Sequence, residues 1–375
     1  MRRRHIVVVG AGPVGAVAAL ACAQRGMEVT LLEAQEKIDD SPRASTTQPP
    51  TLEILAGLGL IDEYIRVGLV ARTFQFWDRT TRTLVAEFDF ERLRGETAYP
   101  FVVQTEQHKL SNMCLARLKG DVRFGVEVVD LEEKGDSVKV KTKKGDFTAD
   151  YVIGADGGRS TVRKCLGIEF EGYTWPERFL VITTKFDFAK ALGCCFRNYM
   201  AGKEEWTNLF KVAGDDLQGR WRAVYNTRSD ETDGEALSEK AVRARLARVH
   251  APDADWVHLN LYNVHQRVAK QFRKGRVFLC GDAAHVNNPI GGLGLNSGIH
   301  EAWDLANLLS GDGDLDAYEK RRRPLNIRYV QEQTVANKKR LEEGRLEELR
   351  ETAADPERHK AFLRRASLLE GQLTR

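Results

Sequence analysis

The chain has 375 residues, 42% apolar and 30% charged, with a net charge of +3 made up of interspersed acids and bases. That length supports a sizeable core or two closely joined lobes, and the balance is that of a globular protein rather than a disordered one. It excludes the concentrated basic face of a nucleic-acid binder, and no run approaches the roughly 18 apolar residues of a membrane span. The opening Arg2-Arg3-Arg4 reads as a solvated lead-in to a strand and not as a targeting signal, because no apolar signal core follows it. The six cysteines (Cys22, Cys114, Cys165, Cys194, Cys195, Cys280) lack metal-ligand spacing, and adjacent Cys194 and Cys195 do not easily close a disulfide. Free thiols and a cytoplasmic location are expected.

In chain order, His5-Ile-Val-Val-Val-Gly10 is a short apolar run of the kind that is buried on both faces of a sheet. Residues 13–25 predict an alanine-rich helix closed by Gly26, and residues 27–32 a second strand ending at Glu33. This makes a β-α-β unit of about thirty residues. A polar loop, 41–48, leads to a helix over 51–58. Residues 73–90 alternate as strands do, with Phe74 and Phe76 on one face, and 101–104 is another short strand. A helix over 106–118 follows, with Leu110, Met113, Cys114 and Ala116 as its apolar stripe. Residues 122–152 read as a meander turning at Gly135 and Gly145, and its last strand is apolar like the first. The aromatic-rich stretch 169–268, interrupted by a charged helix over 238–249, predicts an antiparallel sheet in a second lobe. An apolar strand over 276–280 and a glycine-rich turn lead to a helix over 296–309, and 318–375 is charged and mostly helical. With no repeats and no long linker, the lobes must interleave.

Gly10-Ala-Gly12-Pro13-Val14-Gly15 has the G-x-G-x-x-G spacing of a dinucleotide turn, with Glu33 closing the next strand 18 residues after Gly15. Glycines allow the tight turn and a close backbone approach to a pyrophosphate, while the helix start offers free N–H groups and a partial positive charge. A carboxylate at Glu33 accepts from both ribose hydroxyls and disfavours a 2′-phosphate, so this site suits FAD or NAD over NADP. Two further motifs place an aspartate at a strand's carboxyl end: Gly154-Ala-Asp156-Gly157-Gly158-Arg159 and Gly281-Asp282-Ala-Ala-His285. The second continues into Asn287-Asn288-Pro289-Ile-Gly291-Gly292-Leu-Gly294-Leu295-Asn296.

With these three ordered motifs, residues 5–330 resemble the flavoprotein aromatic hydroxylases, the single-component monooxygenases that include p-hydroxybenzoate hydroxylase. The wording of 287–296 is similar to hydroxylases of 3-(3-hydroxyphenyl)propionate-type phenolic acids. The resemblance implies an α/β fold in which a Rossmann-like, glutathione-reductase-type FAD-binding domain (1–72, 98–168, 269–322) is interleaved with an antiparallel-sheet substrate domain (73–97, 169–268). A C-terminal helical segment (323–375) follows. It further implies FAD binding by Gly10, Gly12, Pro13, Val14, Gly15, Glu33, Arg43, Gln104, Asp156, Arg159, Gly281 and Asp282. Pro289, Gly292, Gly294, Leu295 and Asn296 are implied to pass along the isoalloxazine ring, with N–H groups facing its anionic edge. His285 is read as a structural slot near the phosphates, and Glu301, Trp303 and Asp304 as packing and solvated helix face.

The implied activity is a two-part cycle. NADH or NADPH reduces FAD, and the reduced flavin with dioxygen forms a C4a-hydroperoxyflavin that hydroxylates a phenolic or other aromatic ring. Candidate substrate contacts lie in the sheet: Trp206, Asn208 and Tyr225, with Arg222 or Arg197 for a carboxylate. The expected partner is a small aromatic molecule, with no nucleic acid and no integral membrane association, for a monomer or homodimer. The chain shows no thioredoxin-like stretch of the kind that ends the longer phenol hydroxylases. Rival readings on the same scaffold are a quinone or prenyl reductase, a halogenase (no W-x-W-x-I-P segment is found) and a non-aromatic monooxygenase. A chaperone of prenylated GTPases would have lost the flavin-side motifs, which are intact here.

Overall fold

The two-sided apolar runs of the sequence meet in one parallel sheet. The computed structural model describes residues 3–41, 43, 45–202, 205–344 and 346–371. Its six-stranded sheet runs in the order Arg273–Lys274, Val277–Leu279, Tyr151–Gly154, His5–Val9, Glu28–Leu32, Asp121–Arg123. All neighbours are parallel except Arg273–Lys274. Ile6, Val7 and Val8 have no exposed surface, as strands covered on both faces require. The helix Pro13–Gln24 packs against Gly294–Ser310 and Gln107–Arg117. Arg4 is not a fully solvated lead-in. Its half-buried guanidinium donates to the carbonyl of Leu309 at 2.6 Å and to that of Gly311, where a cation complements the end of the helix Gly294–Ser310. Arg2 lies outside the described residues, as do Pro42 and Ala44 of the polar loop and residues 372–375 of the C-terminal segment.

The expected meander is divided between two sheets. Val128–Lys134, Ser137–Thr142 and Phe147–Ala149 form a small antiparallel sheet of their own, with Gly135 and Gly145 at positive φ in its turns. Asp121–Arg123 and Tyr151–Gly154 leave it to join the parallel sheet.

The second lobe is an eight-stranded sheet in the order His285–Val286, Trp256–Ala269, Phe170–Thr184, Arg220–Asn226, Thr207–Val212, Arg197–Ala201, Thr73–Asp78, Thr83–Asp89. It is mixed rather than purely antiparallel, because Arg197–Ala201 runs parallel to Thr73–Asp78. Those two strands come from distant stretches of chain and share no hairpin, so no turn imposes opposite directions. On the outer face Leu180, Ile182, Trp221, Ala223 and Tyr225 pack against Val242 and Leu246 of the helix Glu239–Ala247. On the inner face Phe74, Phe76, Tyr199, Trp206 and Val224 meet Leu341, Leu349 and Leu363 of the C-terminal helices. Among the described residues all six cysteines are free thiols, and no helix is long and apolar enough to cross a membrane.

The outer helix is tied down by a buried ion pair. Arg245 donates to both carboxylate oxygens of Glu231 at 2.9 and 2.7 Å, with both side chains 7% exposed or less. Removing one partner strands the other's charge in the interior, so Arg245→Ala is expected to cost about 3–5 kcal/mol. In urea denaturation this should appear as a lower midpoint at unchanged slope.

Candidate functional site

At the carboxyl edge of the parallel sheet lies a cavity of about 780 Å³, inside the roughly 300–1,000 Å³ range of ligand clefts. Gly10, Gly12, Pro13 and Val14 form its floor. Gly10 sits at φ +101°, and a Cβ there would lie 2.5 Å from the carbonyl oxygen of Ala155. A Cβ on Gly15 would lie 1.9 Å from the carbonyl oxygen of Gly10, so Gly15 supports the floor from inside the helix instead of lining the cavity. The helix Pro13–Gln24 opens with proline and has no side-chain cap, which leaves its first N–H groups directed at whatever fills the cavity.

Three acids converge here. The Glu33 carboxylate is aimed by two backbone donors, Ala11 N–H at 2.7 Å and Gln35 N–H at 2.9 Å. Asp156 accepts from the Ser160 hydroxyl at 2.6 Å and from the N–H groups of Thr161 and Val162. It therefore organises its own loop, and burial raises its carboxyl above the usual range. Asp282 faces the cavity and has no hydrogen bond among the described residues. Enclosure by protein on the remaining sides raises its pKa. Arg159 lines the rim without a hydrogen bond or ion pair among the described residues. Arg43 lines it as well, its side chain held by Asp39 at 2.7 Å and Ser41 at 3.2 Å. An oriented carboxylate, a helix start without a cap and an unpartnered acid open to the cavity fit the adenosine ribose, pyrophosphate and polyol chain of FAD.

Leu295 is the one residue of the 289–296 segment that lines this cavity. Asn296 is fully buried, and its side chain is consumed as a staple. It accepts from Gln48 N–H at 2.8 Å and donates to the carbonyls of Thr46 and Gly292. Gly291 O accepts from Gln48 Nε2 and Arg197 Nη2, and Ile290 O from Asn337 Nδ2, so the C-terminal helices help to hold this segment. Gly292 packs on Thr46 and Gly294 on Asn287, while Pro289 is exposed.

Gln104 does not reach the cavity. Its carboxamide accepts from the Thr46 hydroxyl and donates to the carbonyls of Phe196 and Lys211, clamping one lobe to the other. Glu301 is not on a solvated helix face. It is wholly buried, receives Gly281 N–H at 2.8 Å and Ser297 Oγ–H at 3.1 Å, and pairs with His285 Nε2 at 2.9 Å. This pair fixes the turn in which Gly281, at φ +59° against Val14, presents Asp282. Asp304 likewise holds Arg321 and Arg322, and Trp303 packs under the Arg25 guanidinium.

The sheet candidates separate by face. Trp206 is fully buried, edge-on to Phe179 with centroids 4.8 Å apart, and is core. Tyr225 belongs to the outer face, where its hydroxyl donates to Arg245 O, so it shares no surface with the others. Asn208 and Arg222 are on the inner face and nearly fully buried. Arg222 donates to the carbonyl of Arg43 at 2.6 Å, and desolvation lowers its pKa. Its Nε, Asn208 Oδ1 and the Oγ1 of Thr183 in the adjacent strand have no protein partner among the described residues. Beside them Arg197 donates twice to the Tyr199 hydroxyl, at 3.0 and 2.7 Å, with no carboxylate within 4.0 Å among the described residues. These two residues, Phe74, Phe76, Gly291 and Phe362 border a second cavity of about 20 Å³.

Sequence reading missed Gln107, His108 and Ser111, which line the large cavity from the helix Gln107–Arg117. The signal was present. Gln107 and Ser111 are four residues apart and so share a helix face, beside the stripe used to place the helix in the core. Ser111 Oγ is buried and has no hydrogen-bond partner among the described residues.

Two outcomes separate the roles assigned here. Glu33→Ala is expected to lower flavin content with little change in melting temperature. Gln104→Leu strands the groups it clamps, costing about 1–3 kcal/mol, and is expected to lower the melting temperature with flavin absorbance near wild type. For His285, burial disfavours the imidazolium, but Glu301, by charge and hydrogen bond, and Asp282 outweigh it, so its pKa is raised. Its stabilisation is then complete below the ordinary histidine value of about 6.5 and is lost as pH rises through the raised folded value. His285→Gln should flatten that alkaline loss in thermal denaturation across neutral to alkaline pH.

The FAD binding domain family model matches residues 3–333. The chain is 32% identical over 350 residues to para-nitrophenol 4-monooxygenase of Pseudomonas sp. (strain WBC-3), covering 88% of this chain and 86% of that one. It is 33% identical over 361 residues to 6-hydroxy-3-succinoylpyridine 3-monooxygenase HspB of Pseudomonas putida (strain DSM 28022 / S16), covering 90% and 89%. Against the 3-(3-hydroxy-phenyl)propionate/3-hydroxycinnamic acid hydroxylase of Mycobacterium sp. (strain JLS) it is 32% identical over 85% of this chain and 57% of the longer relative. The crystal structure of p-nitrophenol 4-monooxygenase PnpA from Pseudomonas putida DLL-E4 superposes with a TM-score of 0.88 at 29% identity, covering 97% of this chain and 98% of that one. The chain belongs to the FAD binding domain family and is a flavin-dependent monooxygenase of the aromatic-hydroxylase kind.

Proposed function

We propose that the enzyme takes electrons from NADH or NADPH and hydroxylates a single phenolic ring bearing a second polar or anionic substituent, seated between the inner face of the eight-stranded sheet and the 289–296 segment. One observation carries this reading. The inner face presents two buried guanidinium groups, Arg197 and Arg222, without carboxylate partners among the described residues, next to unpartnered Asn208 Oδ1 and Thr183 Oγ1. Buried polar groups without partners are costly, and an aromatic ligand with polar substituents would satisfy them. Two relatives are named for para-nitrophenol and 6-hydroxy-3-succinoylpyridine, hydroxylated rings that each carry such a substituent.

FAD, when bound, accepts the electrons and activates dioxygen. In this reading the chain's own residues bind and orient. Glu33 accepts from ribose hydroxyls, the N-terminus of the helix Pro13–Gln24 faces the pyrophosphate, and Asp282 accepts from the polyol chain. N–H groups of Gly294, Leu295 and Asn296 stabilise negative charge at the ring edge. Arg159 is a contact for cofactor phosphate at the rim. Asn208 and Arg222 hold the substrate's polar groups, and the aromatic wall with the C-terminal helices excludes water. Six free thiols support a cytoplasmic setting, for a monomer or homodimer.

The test is to purify the protein, record its visible spectrum and follow NADH and NADPH oxidation with a panel of phenols. Flavin bands and oxidation accelerated by a phenol, with hydroxylated product formed, are expected. Oxidation that no aromatic stimulates would overturn the reading. Arg222→Met should lower kcat/KM for a carboxylate- or nitro-substituted phenol by about 10–100-fold, as loss of a charged hydrogen bond does, and affect the unsubstituted phenol less.

A further inference from the structure

The cavity beside Arg197 and Gly291 holds about 20 Å³, room for roughly one water. A benzene ring enters it only if one wall gives way. The strand side is rigid: Phe74, Phe76 and Phe88 are at most 5% exposed, with Phe74 stacked on Phe88 and Phe76 edge-on to both. Phe362 forms the facing wall. It stacks on Phe88 with centroids 4.3 Å apart and planes 24° apart, and lies 6.3 and 6.4 Å from Phe74 and Phe76. Unlike them it is only partly buried, with the Arg340 guanidinium 5.4 Å from its ring centroid.

The helix that carries it is anchored independently. His359 Nε2 accepts from Asp89 N–H at 3.0 Å, and its Nδ1 donates to Ala353 O at 3.1 Å. Lys360 and Arg364 pair with Glu96 at 2.7 and 3.1 Å, and Leu363 is fully buried. Losing the phenyl group therefore widens the cavity without releasing the helix.

We infer that Phe362 is a specificity-determining residue that limits the aromatic site to one ring. The inference rests on the proposed seat of the substrate between the sheet and Gly291. It is tested with the FAD-loaded enzyme and Phe362→Ala, Phe362→Leu and Phe362→Trp. The readout is kcat/KM for one-ring phenols (4-nitrophenol, 4-hydroxybenzoate) and two-ring phenols (2-naphthol, 6-hydroxy-2-naphthoate), with product formation and flavin content measured throughout. Phe362→Ala should raise the two-ring to one-ring ratio by about tenfold or more, chiefly through KM. Phe362→Leu should raise it less, and Phe362→Trp should lower kcat/KM for the one-ring phenols as well. An unchanged ratio across flavin-replete variants overturns the filter while leaving the proposed reaction standing. Should the alanine variant fail to fold, the leucine and tryptophan variants decide by the same ratio. A wild-type enzyme that hydroxylates none of the phenols overturns the reading beneath the filter, and the filter with it.

Discussion

The closeness of the backbone around Gly10 and Gly15 governs the nucleotide half of the molecule. A side chain at either position would drive into a carbonyl oxygen, at 2.5 and 1.9 Å respectively, so the first turn, the helix after it and the strand Tyr151–Gly154 approach as one unit. Gly281 and Gly298 repeat the arrangement over Val14, where an added Cβ would sit 3.0 and 2.7 Å from its side chain. The ends of His5–Val9, Glu28–Leu32, Tyr151–Gly154 and Val277–Leu279 meet around one cavity, with a floor made largely of main chain. A phosphate-bearing ligand can approach such a floor closely and find N–H groups rather than methyls.

Acids around this floor do different work according to what surrounds them. Glu33 is aimed by backbone donors, Asp156 caps the loop that carries it, and Asp282 lines the cavity without a hydrogen bond among the described residues. Glu301 lies behind them, where His285, Gly281 and Ser297 take up its oxygens. The buried pair is thus a support for the Asp282 turn. Chemically similar side chains become rim, cap or brace through the donors within 3.1 Å of them.

The sheet lobe couples to this floor through side chains that reach main-chain groups across the junction. Gln104 bridges Thr46 to the carbonyls of Phe196 and Lys211, Arg222 reaches the carbonyl of Arg43, and Arg197 reaches that of Gly291. Gln266 and Gln331, the latter at the end of the π-helical turn Ile327–Gln331, join the C-terminal helices to Asn288 and Val286. The segment before Gly294 is therefore gripped from the nucleotide lobe, the sheet and the C-terminal helices at once. Its position relative to the sheet's inner face is a property of the whole chain.

What the sequence determined by itself is what depends on neighbours along the chain. The glycine spacing, the apolar runs of His5–Val9 and Tyr151–Gly154, the helix Gly294–Ser310 and the strand-end positions of Glu33, Asp156 and Asp282 follow from local sterics and periodicity, and they were legible. Ordered together, they were also enough to indicate the family. Tertiary structure alone decided which polar groups stayed free. Gln104 and Asn296 resemble ligand contacts in sequence, yet apart from one bond to Gly292 their amides are consumed by partners 58 to 250 residues away, while Ser111 and Arg222 keep atoms unpartnered among the described residues. Period-two alternation put Trp221, Ala223 and Tyr225 on one face but did not say which face a helix would cover. A hydrogen bond to a distant carbonyl leaves no trace in local pattern, because it depends on where the fold carries both ends.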